Sequence, residues 1–561
     1  MSDNQIAIRA FHFRDISSNV APITEPRIRL LVLKGGARLE LTEVKPTWLD
    51  PGAEDSIQLD LTGARLPPQA LEARLLDGIT SVTPRLAYLG YRAWITKRYF
   101  EARQPNSYAT FMEFAGRQEA ALAIGLAKLG FAGNGVVGSR KAKVAAEQTT
   151  TRLEALAKLK ALSIYGASFD ALGLGRATDR GLPQLSEAGA KLANAVEARV
   201  SGSRYSRMIA EAPLVENVPV DALAEFAEHV GFENPDRNER AVLLDVMFGL
   251  TGPPVWLPRR DTYAMLLLVT RDEPQANESD FLRASVTPGR FPNSLSRTAD
   301  GWAEYTSLDL MAFGHEHGLG SVVAELRRLD SRWKEPGQQS GGTPRTRRAD
   351  EVLSVAVANP GVAALLESLR LPGLEATVTE LRQHLASRCR GAQEQDGIRR
   401  WHEGWAEEDV VEALDAHAGA GAAGPLLAWC CAAERIANPA RRSFERRGLW
   451  SLRSTLLPFL EEYAQVSVRE AMSSALRSVV LQHLRVAWDR YADDPTINNA
   501  LVATEEGHWG YVRDYIVGRM GRRLATAWGW LSQLDTLTET GLSESGASLL
   551  ERALRRSGEA T

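Results

Sequence analysis

Over the first sixty residues apolar and polar positions alternate in short runs. Examples are Gln5-Ile6-Ala7-Ile8-Arg9-Ala10-Phe11, Arg27-Ile28-Arg29-Leu30-Leu31-Val32-Leu33, Arg38-Leu39-Glu40-Leu41 and Ser56-Ile57-Gln58-Leu59-Asp60-Leu61. A period of two marks half-buried strands. Gly35-Gly36 separates two of the runs and suits a hairpin turn, so residues 1–66 are expected to form a small antiparallel β module. Beyond Pro67-Pro68 the period lengthens. Phe111, Phe114, Ala115, Leu122, Leu126 and Leu129 recur mostly at helical spacing, as do Leu456, Leu457, Leu460, Tyr463, Val466 and Val479. Such stripes are the core-facing sides of amphipathic helices. The chain therefore reads as mainly α with a small N-terminal antiparallel β module.

Breaks in the pattern suggest how the helices are grouped. Lys334 to Arg348 has no large apolar side chain to bury and is rich in Pro, Gly and polar residues, which marks a linker. The expected organisation is a β module at 1–66, helical regions at 67–200 and 201–333, the linker at 334–348, and helical regions at 349–440 and 441–561. The Ala/Gly tract from Ala418 to Pro425 is either a weaker break or a helix end.

At 561 residues the chain has ample core for several domains. Its 44% hydrophobic and 24% charged content is that of a globular protein. The longest apolar runs, such as Ala264 to Val269, are far shorter than the roughly 18–20 residues of a membrane span. No secretory or lipidation signal is read at the N-terminus, so a cytoplasmic location is expected. Three cysteines, Cys389, Cys430 and Cys431, build neither a disulfide framework nor a CxxC zinc site. The net charge of −4 confines any polyanion site to a local patch.

One local text occurs twice: Leu185-Ser186-Glu187-Ala188-Gly189-Ala190-Lys191-Leu192 and Leu542-Ser543-Glu544-Ser545-Gly546-Ala547-Ser548-Leu549. Each follows a helical segment, a short leucine-containing stretch and a polar turn. The Ser suits a helix N-cap, and the Gly lets the new helix pack closely on its neighbour. This order resembles the wing of winged helix-turn-helix domains, at about 140–198 and 505–556. The resemblance implies that residues 164–172 and 526–534 are third helices, the ones that enter the major groove in DNA-binding members. Those stretches are poor in side chains able to reach base edges, so contact with little base specificity is expected.

Cations cluster near both texts and once between them. Arg140, Lys141 and Lys143, with Arg152, Lys158 and Lys160, lie before the first; Arg513, Arg519, Arg522 and Arg523 lie before the second. Arg435, Arg441, Arg442, Arg446, Arg447 and Arg453 form a third group, interleaved with Phe444 and Trp450, and could track phosphates while the rings stack on bases. The alternative for this group is a solvated helix face paired with Glu434, Glu461 and Glu462.

Catalytic motifs are few and poorly supported. Gly133-Asn134-Gly135-Val136-Val137-Gly138 fits GxGxxG, but it follows a helical pattern and not the strand that a dinucleotide fold needs. A phosphate-binding Gly-Lys-Ser/Thr loop is absent, so any motor is expected on a partner. Glu43-Val44-Lys45 resembles half of a metal-dependent nuclease site, without a recognisable partner acid. His315-Glu316-His317 places two His two apart, pointing to different sides of a helix. Cys430-Cys431 beside Trp429 reads as core. No cofactor, metal or catalytic residue is assigned.

These readings favour a non-catalytic DNA-binding adaptor or subunit of a multi-protein bacterial complex, with single- or double-stranded DNA and other protein subunits, such as a separate ATPase or nuclease, as partners. The texture resembles accessory subunits of prokaryotic anti-phage defence systems. The competing expectations are a protein scaffold without nucleic-acid contact, and a metal-dependent nuclease built on Glu43 and Lys45.

Overall fold

The computed structural model describes residues 60–131, 135–156, 161–178, 181–213, 215–251, 255–329, 333–335, 338–339, 346–389, 407–436, 455–494, 499–518 and 523–560. Helices dominate, and the strands are short and antiparallel. The expected N-terminal β module, including Glu43 and Lys45, lies outside the described residues apart from its last few positions. Trp48–Thr561 cluster as a single compact unit.

Two hydrophobic cores fill this unit. The first is built from residues between Leu71 and Tyr305 together with residues between Leu524 and Ala553; the second takes Leu61 and residues between Leu310 and Tyr511. Helix Ser296–Leu329 runs through both: Trp302 and Tyr305 are buried in the first, Leu310, Leu319, Val322 and Leu326 in the second. Its 34 residues span about 51 Å. The stretch expected as one C-terminal helical region is thus divided between the two cores.

The Ala/Gly tract is not a linker. Ala420–Ala423 is a buried 3-10 turn leading into helix Gly424–Ile436, which packs on the long helix. A Cβ added to Gly314 would lie 2.6 Å from the Gly424 carbonyl oxygen, and one on Gly424 would lie 2.5 Å from that of Gly314. Two glycines facing each other let the backbones approach more closely than any side chain allows.

The end of the expected linker is also ordered in a sheet. Thr346–Arg348 pairs with His508–Tyr511, which pairs in turn with Val502–Glu505. Glu506 and Gly507 join the last two strands with φ of +44° and +78°, the left-handed pair that a tight hairpin turn requires.

Buried polar ties connect distant segments where the second core meets the N-terminal end of the described chain. Arg65 forms a buried two-point ion pair with Glu316, whose other partner is the Tyr515 hydroxyl at 2.7 Å. Asp60 accepts from the backbone N–H of Arg65 and Leu66. His483 donates from Nδ1 to the Leu61 carbonyl at 3.0 Å and accepts at Nε2 from the Leu501 N–H at 3.0 Å.

Candidate nucleic-acid interface

The repeated text folds in the same way twice. Helices Ala161–Ile164 and Gly166–Ala171 precede a two-stranded hairpin, Gly175–Ala177 paired with Pro183–Leu185, and then helix Glu187–Val200. Helix Arg523–Gln533 precedes the hairpin Leu537–Thr538 with Gly541–Leu542, and then helix Glu544–Glu559. Ser186 Oγ accepts from Gly189 N at 3.0 Å and donates to the Gly173 carbonyl at 2.7 Å. Ser543 Oγ accepts from Gly546 N at 3.0 Å and donates to the Asp535 carbonyl at 2.6 Å. Gly173 and Asp535 both take a left-handed φ, +69° and +55°. The equivalence therefore extends through cap, turn and close approach.

Both first helices are turned largely inward. In Arg523–Gln533 the residues Leu524, Thr526, Ala527, Trp530 and Leu531 are buried; Trp530 Nε1 donates to the Thr83 carbonyl at 2.8 Å. Gln533 bonds Leu86 N and the Pro84 carbonyl. In the first repeat the Tyr165 hydroxyl accepts from Arg85 N at 2.9 Å. The hydroxyl of Tyr88, the second residue of helix Ala87–Glu101, accepts from Val137 N at 3.1 Å. Residues 83–88, where helix Ala87–Glu101 begins, are thus held by both repeats and by the loop leading to Ser139. The exposed positions on the first-repeat helices are Ser163, Ala167 and Asp170, and on Arg523–Gln533 they are Ala525 and Ser532. None of these is the bidentate Arg, Lys, Asn or Gln that reads base edges.

The candidate cations have different fates. Arg140, Lys141 and Lys143 stand exposed on helix Ser139–Ala146, which packs on Tyr108–Lys128 and buries Ala142 and Ala146. Among the described residues no acid pairs with these three. Arg152 lies 3.9 Å from Glu216. Arg523 turns inward: its N–H donates to Glu72 at 2.7 Å and its guanidinium to the Ile79 carbonyl at 2.5 Å. It anchors the start of the helix. Arg435 lies in helix Gly424–Ile436, and only its backbone is described. Arg441, Arg442, Arg446, Arg447, Arg453, Arg519 and Arg522 lie outside the described residues, as do Lys158 and Lys160. Of the acids considered as partners for the third cluster, Glu434 lies 3.4 Å from Arg382.

Three exposed apolar side chains were missed in the sequence. Val144 is 65% exposed, and Leu129 and Phe131, just past the end of Tyr108–Lys128, are 39% and 41% exposed. A signal existed: Ala142 and Ala146 define the buried face, and Val144 falls about 200° from Ala142 at 100° per residue.

The remaining chemistry resolves into packing. His315, Glu316 and His317 point in three directions: to Trp429 at 2.6 Å, to the Arg65 and Tyr515 side chains, and to Asp415 at 3.4 Å. Burial pushes His315 down to about 3. Cys430 and Cys431 are buried in the second core. Among the described residues no cluster could hold a metal ion. No single helix there is long and apolar enough to cross a membrane, and the bent pair Ala349–Val357 and Pro360–Ser368 buries its leucines and most of its valines in the second core. No known family, curated protein or solved structure matches the chain.

Proposed function

We propose that this chain is a non-catalytic adaptor or subunit of a multi-protein bacterial complex that contacts nucleic-acid phosphates with little base specificity. The observation carrying the proposal is the exposed triad Arg140, Lys141 and Lys143, which has no acidic partner among the described residues. Many other arginines are committed: Arg98 to Glu197, Arg199 to Glu239, Arg283 to Asp409 and Glu412, and Arg327 to Asp514. An uncommitted cation is the group that displaces counterions from a phosphate backbone. In this reading the repeated helix–hairpin–helix unit resembles a winged helix whose first helix serves internal packing.

Fluorescence anisotropy of the full chain with labelled DNA tests the proposal. Binding near 0.15 M salt, about the physiological value, that is lost in Arg140→Glu/Lys141→Glu/Lys143→Glu supports it. A specific observation favours a second reading, a scaffold without nucleic-acid contact: the inward-turned helices and the paired arginines are what a protein-holding framework needs. Absence of DNA binding, with a variant that remains folded, selects that reading.

A further inference from the structure

From the last turns of helix Val468–Asp493 we infer that this face pairs with the same face of a second copy of the chain, the two helices running antiparallel. Val479, His483 and Ala487 bury the inner side of these turns. On the outer side Leu481, Leu484, Trp488 and Tyr491 fall within an arc of about 80°, at 100° per residue. Leu481 is 37% exposed and Trp488 54%. Leu484 and Tyr491 are half-buried, and the Trp488 and Tyr491 ring centroids lie 6.2 Å apart. Beside this stripe, on one flank, stand Arg485 and Asp489, with side chains 64% and 67% exposed and 4.0 Å apart. Within the helix that contact gains little: Arg preceding Asp is the weaker order, and Asp489 lies near the negative end of the helix.

The pattern is complementary to itself. A twofold axis across the helix near residue 487 brings Arg485 of each copy to Asp489 of the other, sets Leu484 near Tyr491 and leaves the two Trp488 rings beside the axis. Parallel pairing would instead set Arg485 on Arg485 and Asp489 on Asp489, which is repulsive at both positions. Trp, Tyr and Arg are also the side chains that most often anchor interfaces.

Sedimentation equilibrium of the full chain tests this. A contact of a few helical turns is at the small end of specific interfaces, so a reversible dimer with a dissociation constant on the order of 10 μM is expected, fully visible by about 200 μM. Trp488→Ala should weaken it at least about tenfold with circular dichroism and thermal midpoint unchanged. Arg485→Asp sets acid against acid across the axis, and Asp489→Arg sets cation against cation. Each variant alone should therefore stay monomeric, while an equimolar mixture restores both charge pairs and should associate with near wild-type affinity. A monomer at the highest concentration overturns the inference, as does a dimer indifferent to Trp488→Ala, which would place the contact elsewhere on the chain. Dimerisation of either charge variant alone, or failure of the two to associate with each other, overturns the antiparallel pairing.

Discussion

The side-chain amide of Gln533 grips the backbone at Leu86: its Oε1 accepts from Leu86 N at 3.0 Å while its Nε2 donates to the Pro84 carbonyl at 2.9 Å. The two residues are 447 positions apart, yet together they fix the start of helix Ala87–Glu101. The first N–H groups of a helix have no intrahelical partner, so a buried one must find a partner elsewhere.

Removing that partner has a definite cost. Gln533→Ala leaves the buried Leu86 N–H unsatisfied and should destabilise the fold by about 1–3 kcal/mol. Gln533→Glu keeps the acceptor and places a negative charge at a helix N-terminus, so it should lose less. Denaturant unfolding at unchanged m-value reads the difference.

The two repeats predict matched behaviour. A Cβ on Gly189 would fall well inside 3.0 Å of the Leu174 carbonyl oxygen, and one on Gly546 equally close to that of Thr536. Gly189→Ala and Gly546→Ala should each cost about 1–3 kcal/mol through overpacking. Ser186→Ala and Ser543→Ala should each cost about 1 kcal/mol through loss of the cap. The glycine sites share no partner, so the double variant should lose the sum in a thermal or denaturant melt.

Acid sensitivity follows from His483. Burial pushes it down to about 4, and its Nε2 must remain unprotonated to accept from Leu501 N. Between about pH 6.5 and 4 the unfolded chain binds the proton and the folded chain does not, so this stabilisation is complete above 6.5 and is lost as pH falls. His315, pushed down to about 3, acts in the same direction. A His483→Gln variant should be less stable at neutral pH and show a shallower loss of stability on acidification than the wild type.

Glu239 acts in the opposite direction. Burial raises its carboxyl to about 7 although Arg199 pairs with it at 2.6 Å. Between about 4.5 and 7 the folded chain holds the proton that the unfolded chain has released, so this contribution falls as pH rises. Replacing Glu239 with Gln should flatten that segment of the stability profile, measured against wild type in the same buffers.

Much of the local structure was legible because it is written in neighbouring residues. The Ser-Glu-x-Gly text announced two capped helix starts, and the order of helix, hairpin and helix around it is what the fold contains. Cys430 and Cys431 read as core from the apolar run beside Trp429. The ties between distant segments carried no such mark. Nothing near Arg65 points to Glu316, 251 residues away, and Arg523 looked like any other cation in a basic run until the fold brought Glu72 against it. Side chains whose role depends on what tertiary structure places opposite them cannot be told from solvated ones by spacing alone.

The most direct test of the central claim is the slope of log binding constant against log salt for single-stranded DNA, in wild type and in Arg140→Gln/Lys141→Gln/Lys143→Gln. If the triad meets three phosphates, the neutral variant should lose about 2 from the magnitude of the slope, at roughly 0.7 per phosphate for single strands. An identical slope in the two proteins would show that this helix does not contact the backbone and would contradict the account.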